Sequence, residues 1–395
     1  MEWLNNLRFK SKDPNTRRKA IESLDLEGEV PPATVELVAA SVGDQEPQVR
    51  AAAAKALGAI QNDRSTELLI PLLRDASPEV RQASAAALGH AGDGRATGPL
   101  AAALQDVSGN VRQSAAMALQ RLGWRAANDE EQAAFELAFG NARAAAMKGE
   151  AAVNPLVSGL GDNTDSVRRA AAEALEGVGD PRRIQPLLVA ATDSEPTVRV
   201  SAIHALAKAS GTPVTQVLLR ALGDPECHVR LAAALVLGRR DSPEFLPQFL
   251  PLLNDSYFEV RLAAVQFLGR VRQPQSVEAL LPRLEDTDSD VRLATAKALG
   301  EIGSSAAIEA LVLALLDDER TVRHVAELSL NQLDPNWARS EAAQRACAVL
   351  QSSMDDKPAW VRAAAAQVIA RLRAGSGISS AEAGGSRLKM VAADP

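Results

Sequence analysis

The pair Val-Arg returns along this chain with a fixed stride. It stands at Val49-Arg50, Val80-Arg81, Val111-Arg112, Val167-Arg168, Val198-Arg199, Val229-Arg230, Val260-Arg261, Val291-Arg292, Val322-Arg323 and Val361-Arg362, with Thr16-Arg17 as a degenerate first copy. Seven of the ten intervals between the arginines are 31 residues; the others are 33 (Arg17 to Arg50), 56 (Arg112 to Arg168) and 39 (Arg323 to Arg362). Other positions keep the same phase: an Asp six residues before the Arg, as in Asp44, Asp75 and Asp106, and an apolar residue seven after it, as in Leu57, Leu88 and Leu299. A period of this length means stacked repeats, each too small to bury its own apolar face and each covering its neighbour's.

Each unit reads as two helices. Over Ser65 to Gly92, Ser65-Thr66-Glu67 opens a first helix carrying Leu68, Leu69, Ile70, Leu72 and Leu73. The turn is Asp75-Ala76-Ser77-Pro78, and Pro78 fits the first turn of the next helix, where its missing N–H costs nothing. The second helix then buries Val80, Ser84, Ala87 and Leu88 at helical spacing. Composition agrees. Hydrophobic residues make up 46% but aromatics only 3%, so Ala and Leu carry the core. That suits closely packed helices and suits sheets poorly. The expected fold is all-α, an α-α superhelix of about eleven two-helix repeats over residues 1–374.

The 56-residue interval is one repeat plus 25 residues, which places a helical insertion at about 124–149. Asn128-Asp129-Glu130-Glu131 has the form of a helix cap and an acidic first turn, and the helix continues through Phe135 and Phe139. An extra helix pair that alters local curvature and a partner-binding flap are both open readings. Trp3, Leu4 and Leu7 are expected to cap the open N-terminal end. Residues 375–395, rich in Gly, Ser and Ala, are expected to be a disordered tail.

The turn Asp, the Val-Arg pair and the following Ala-Leu-Gly, as in Val49-Arg50 to Leu57-Gly58 and Val291-Arg292 to Leu299-Gly300, resemble the HEAT repeats of the phycobilisome-lyase-like class over roughly residues 11–373. Gly123-Trp124 followed by Asp129-Glu130-Glu131 is similar to an insertion seen in some proteins of that class. The resemblance implies a HEAT or armadillo-type solenoid. It also implies, as an alternative function, a bilin lyase or isomerase subunit acting on phycobiliproteins.

Catalytic constellations are not found in the sequence, so no catalytic, cofactor-binding or metal-binding residues and no cofactor are assigned. The recurring Asp and Arg read as scaffold groups, because groups repeated in every unit hold units together and catalytic groups occur once. The four histidines, His90, His204, His228 and His324, show neither His-x-x-x-His nor His-Glu-x-x-His spacing. Each is followed by Ala or Val, so the repeated His-Glu pairs of the HEAT-repeat deoxyhypusine hydroxylases are missing and a metal-dependent hydroxylase is disfavoured. Two cysteines, Cys227 and Cys347, imply no disulfide framework. A net charge of −7 and few aromatics argue against a nucleic-acid surface. No apolar run reaches a membrane span. The expectation is a cytoplasmic monomer.

In such an array the variable positions carry function. One residue after the Arg, Val200, Leu231, Leu262 and Leu293 form four consecutive apolar copies. His204 and Leu235 lie five after it, Phe258 lies three before, and Lys208, Arg239 and Arg270 lie nine after. These ten residues form a candidate partner-binding patch on the concave face, with an apolar centre and a basic rim. The competing reading packs the same side chains between adjacent helices. The expected function is a protein–protein interaction scaffold or adaptor that takes an acidic amphipathic segment.

Overall fold

The computed structural model describes residues 8–26, 28, 30–352 and 359–376. Trp3, Leu4 and Leu7, the Asp six residues before Arg362 (Asp356) and residues 377–395 of the expected tail lie outside the described residues, while Gly375 and Ser376 end the last helix, Ala359–Ser376. The fold is all-α, with no strand among the described residues. The chain divides into two compact units, Met1–Val217 and Leu218–Pro395.

In the first unit the helix Pro14–Glu22 is followed by pairs whose second members are Pro47–Ile60, Pro78–Ala91, Gly109–Arg121, Asp165–Glu176 and Pro196–Ala205. Pro14, Pro47, Pro78 and Pro196 each occupy a first-turn position, as the sequence pattern requires. Consecutive second helices pack side by side, Pro47–Ile60 on Pro78–Ala91 and Pro78–Ala91 on Gly109–Arg121. The approach is close because Gly58 faces Ala87 where an added Cβ would stand 2.6 Å from the Ala87 Cβ. The aliphatic core is continuous through Val49, Leu57, Leu69, Val80, Leu88, Leu100 and Leu119, all fully buried.

In the second unit the second helices are Cys227–Gly238, Phe258–Val271, Ser289–Ile302, Arg320–Leu333 and Ala359–Ser376. Two of the first helices break from α to 3-10 geometry, at Leu250–Asn254 and Leu281–Glu285. Pro251 and Pro282 stand in the first turn of these segments, each without a backbone donor, whereas the helix Asp63–Leu72 stays α around Pro71 at the same repeat position. Phe249 and Phe267 stack at 3.9 Å between ring centroids and fill the core beside the first break.

The Asp–Arg phase is a ladder of ion pairs. Arg50 Nε and Nη2 donate to Asp75 Oδ2 and Oδ1, 25 residues on, at 2.7 and 2.8 Å. Its Nη1 donates to the carbonyl of its own Asp44 at 2.8 Å. Asp75 in turn accepts the Ser77 backbone N–H at 2.8 Å, which fixes the turn before the next helix. The same arrangement joins Arg17 to Asp44, Arg81 to Asp106 and Arg168 to Asp193 in the first unit, and Arg230 to Asp255, Arg261 to Asp286 and Arg292 to Asp317 in the second. Each arginine therefore clamps its own turn to the next one. The guanidinium hydrogen bond lowers the carboxyls of Asp44, Asp75 and Asp193 below the usual range, against the opposing effect of burial.

The insertion obeys the ladder by staying off it. Arg112 pairs with Asp162, fifty residues on, twice the ordinary step. Both side chains are almost fully buried, at 3% and 2% exposure, and Arg112 Nε has no hydrogen-bond partner. The inserted helices Asp129–Ala138 and Ala142–Ala146 stand between the second helices, the former packing on Gly109–Arg121 and the latter on Asp165–Glu176. The edge that carries the turns is thus closed as between ordinary neighbours, while an extra pair is wedged beside it. Asn128 caps the first inserted helix, accepting the Glu131 N–H at 2.8 Å, as its sequence form requires.

Candidate functional site

The variable residues sit where the repeat phase puts them, on the second helices. Val200 and His204 lie in Pro196–Ala205 and Lys208 follows it, all in the first unit; Val200 and His204 are half-buried and Lys208 is exposed. The remaining seven belong to the second unit. Leu231 and Leu235 lie in Cys227–Gly238, with Arg239 at its C-cap. Phe258, Leu262 and Arg270 lie in Phe258–Val271, and Leu293 lies in Ser289–Ile302.

In the second unit the structure brings the leucines into one row. Cys227–Gly238 packs on Phe258–Val271, which packs on Ser289–Ile302. Leu231, Leu262 and Leu293 therefore occupy the same level of three adjacent helices. All three are half-buried, so they fill the seams between helices and also present part of their surface. Leu235, 39% exposed, stands one turn further on and is fractionally the most exposed apolar residue of the seven. Leu328, 54% exposed, holds the equivalent position in Arg320–Leu333. One residue after the Arg, His324 interrupts the apolar run, so the sequence signal for Leu328 lies five after the Arg instead.

Toward the N-terminal ends of these helices the stripe becomes aromatic. His228 and Tyr257 lie 5.5 Å apart between ring centroids, and Tyr257 and Phe258 lie 6.0 Å apart. Tyr257 is the only tyrosine in the sequence and was not singled out by phase, because it stands in the turn rather than on a helix. Cys227 Sγ lies 3.5 Å from His228 Nδ1 on the same helix. No group of three or more His, Cys, Asp or Glu side chains among the described residues is placed to hold a metal ion.

Toward the C-terminal ends the expected basic rim is thinner than its sequence implies. Arg270 Nε is paired with Asp241 Oδ1 at 2.8 Å, and its Nη2 donates to the Gly238 carbonyl at 2.8 Å. This arginine closes the C-terminus of the preceding helix, where cation and free carbonyl attract. Arg239 is exposed, and Lys297 is exposed with Glu301 at 3.7 Å. From Leu231 to Arg239 the helix advances about 12 Å, so aromatic, aliphatic and cationic bands follow one another along the helix axes.

A second concavity lies in the first unit, along Pro47–Ile60, as a groove of about 610 Å3. Repeat phase does not mark it, because the alanines along its floor are themselves core residues.

The family described as HEAT repeats matches residues 1–76, 66–135, 125–207, 184–256 and 246–331. Among curated proteins none matches the chain. Similar solved structures include an engineered protein, at 22% identity, covering 84% of this chain and 98% of that one, with a TM-score of 0.39. Human deoxyhypusine hydroxylase in complex with glycerol is similar at 21% identity, over 76% and 95% of the two chains, with a TM-score of 0.28. Kap95p, in a structure with RanGDP, is similar at 14% identity over 96% of this chain and 55% of that one, with a TM-score of 0.37.

Proposed function

This chain belongs to the HEAT-repeat family, and we propose that it is a protein–protein interaction scaffold whose second unit binds an amphipathic helical segment with an acidic face. The observation that carries this reading is the row of Leu231, Leu262 and Leu293 on three packed helices, with Leu235 exposed beside it. An apolar row of this kind takes the apolar stripe of a partner helix, whose anchors repeat every three to four residues. Phe258 and Tyr257 supply aromatic anchors at one end. Exposed Arg239 favours acidic side chains on the partner, while Arg270 is paired with Asp241 and Lys297 with Glu301. Val200, His204 and Lys208 are further candidate contacts within the first unit.

The reading is of a binder and not of an enzyme. The test replaces Leu231 and Leu262 with Asp in the full chain. Proteins captured by the wild type are expected to be lost from a variant whose circular dichroism is unchanged. An identical captured set with a folded variant removes the stripe from the function.

A further inference from the structure

The groove of the first unit has a different chemistry from the leucine stripe. The helix Pro14–Glu22 forms one wall, Pro78–Ala91 the other, and Pro47–Ile60 runs along the base. Its floor is made of Ala51, Ala52, Ala83 and Ala87, each less than a tenth exposed, so the side chains end at Cβ and leave a methyl-lined hollow. Its volume of about 610 Å3 lies within the span of ligand pockets.

The walls hold polar groups that the protein leaves unused. Gln48 is half-buried and Gln82 exposed, and neither side-chain amide hydrogen-bonds another described group. Arg18 Nε is buried with no hydrogen-bond partner, and the nearest carboxylate oxygen, Glu22 Oε1, is 3.9 Å away. A buried donor left unpaired is costly, and a small shift of the Arg18 side chain that brought it to an entering acceptor would recover that cost. The charges balance: Arg18 and Lys55 face Glu22 and Glu79, so the groove favours an occupant without net charge.

These groups discriminate between backbone conformations. A helix bonds its own N–H and C=O groups internally and has none to offer along its length. An extended chain offers both, alternately, and a glutamine amide is both donor and acceptor. In an extended chain every second side chain points to the same face, and those facing the floor would fill the alanine hollow.

We propose that this groove binds a short extended peptide segment that is uncharged and carries bulky apolar residues at alternate positions, held through its backbone by Gln48, Gln82 and Arg18. The site is independent of the leucine stripe in the second unit, and its failure would leave that reading untouched.

The probe is an acetylated and amidated heptapeptide alternating Leu with Ser, titrated calorimetrically into the full chain. Saturable binding is expected. Gln82→Ala should weaken it about tenfold, the worth of a good hydrogen bond. Ala86→Leu, which fills the groove, should abolish it, and the Leu231→Asp Leu262→Asp variant should bind as the wild type does. The same peptide with N-methylated backbone amides should bind at least tenfold more weakly. Absence of saturable binding overturns the proposal. So does equal binding of the N-methylated peptide, or tighter binding of a helix-forming Leu–Ala peptide, because either shows that the backbone is not what the groove reads.

Discussion

The carboxylate of Asp162 occupies the space where a side chain at Gly109 would begin. A Cβ built on Gly109 would collide with Asp162 Oδ2, and that carboxylate is the partner of Arg112. Other repeats place Pro47, Pro78 or Pro196 at the corresponding position, three before the arginine. At the one rung that bridges an insertion, the ladder needs a residue without a side chain.

Gly109→Ala is therefore expected to push Asp162 off Arg112 and leave a buried guanidinium without its partner. Breaking a buried pair costs about 3–5 kcal/mol. Urea denaturation should show that loss, whereas Gly98→Ala, with nothing within 4 Å of its added Cβ and a helical setting, should be neutral or slightly stabilising. Equal effects at the two sites would show that the close approach is not what matters at Gly109.

Deleting residues 124–148 should give a folded, regular array. The step from Arg112 to Asp162 is 50 residues, the first rung, Arg17 to Asp44, steps 27 and the others named above step 25, so removing 25 residues restores the common spacing. The expected outcome is a single cooperative thermal transition and unchanged helicity per residue for the rest of the chain. A molten or multi-step transition would show that the inserted helices are part of the core they wedge apart.

Acid should weaken the ladder in a defined window. The Arg50 hydrogen bond depresses the Asp75 carboxyl, outweighing the effect of burial, and the Ser77 N–H adds to it. A depressed folded value means the stabilisation is complete above the unfolded value of about 3.9 and is lost as pH falls through the folded one. Asp75→Asn should melt below the wild type at pH 7, by about 1–3 kcal/mol, with the gap closing as pH falls below about 4. A gap of constant size across that range would remove the ionised pair as its cause.

Gly58→Ala tests the packing of consecutive second helices. Its Cβ would stand 2.6 Å from the Ala87 Cβ and 2.8 Å from the Ala87 Cα, and backbone cannot yield as a side chain can. The substitution should cost about 1–3 kcal/mol by overpacking. It should also change the heat of peptide binding, because both residues border the first-unit groove. A thermal midpoint equal to the wild type would mean that these helices slide freely.

Phase alone made the scaffold legible. Val80, Ala87 and Leu88 were placed in the core by their spacing, and all three are buried. The partner of each arginine was less determined. Its own turn's Asp, six residues back, and the next turn's Asp, 25 residues on, share one phase, and the structure uses the carbonyl of the first and the carboxylate of the second. Counting residues gives a size for the insertion but not the side on which it packs, because a period is one-dimensional and packing is not. The candidate surface suffered most. The level of Leu231, Leu262 and Leu293 was readable, whereas their partial burial depends on neighbouring helices, and Arg270 is neutralised by an aspartate, Asp241, outside the repeat phase.

The rung from Arg112 to Asp162 also says where this molecule can be lengthened. One edge keeps the count of the repeats and the other is free to take on new sequence. A loop or a small domain spliced near Gly140, between the two inserted helices, would leave every Arg–Asp pair of the ladder with its present partner, so the array can gain parts without losing its place.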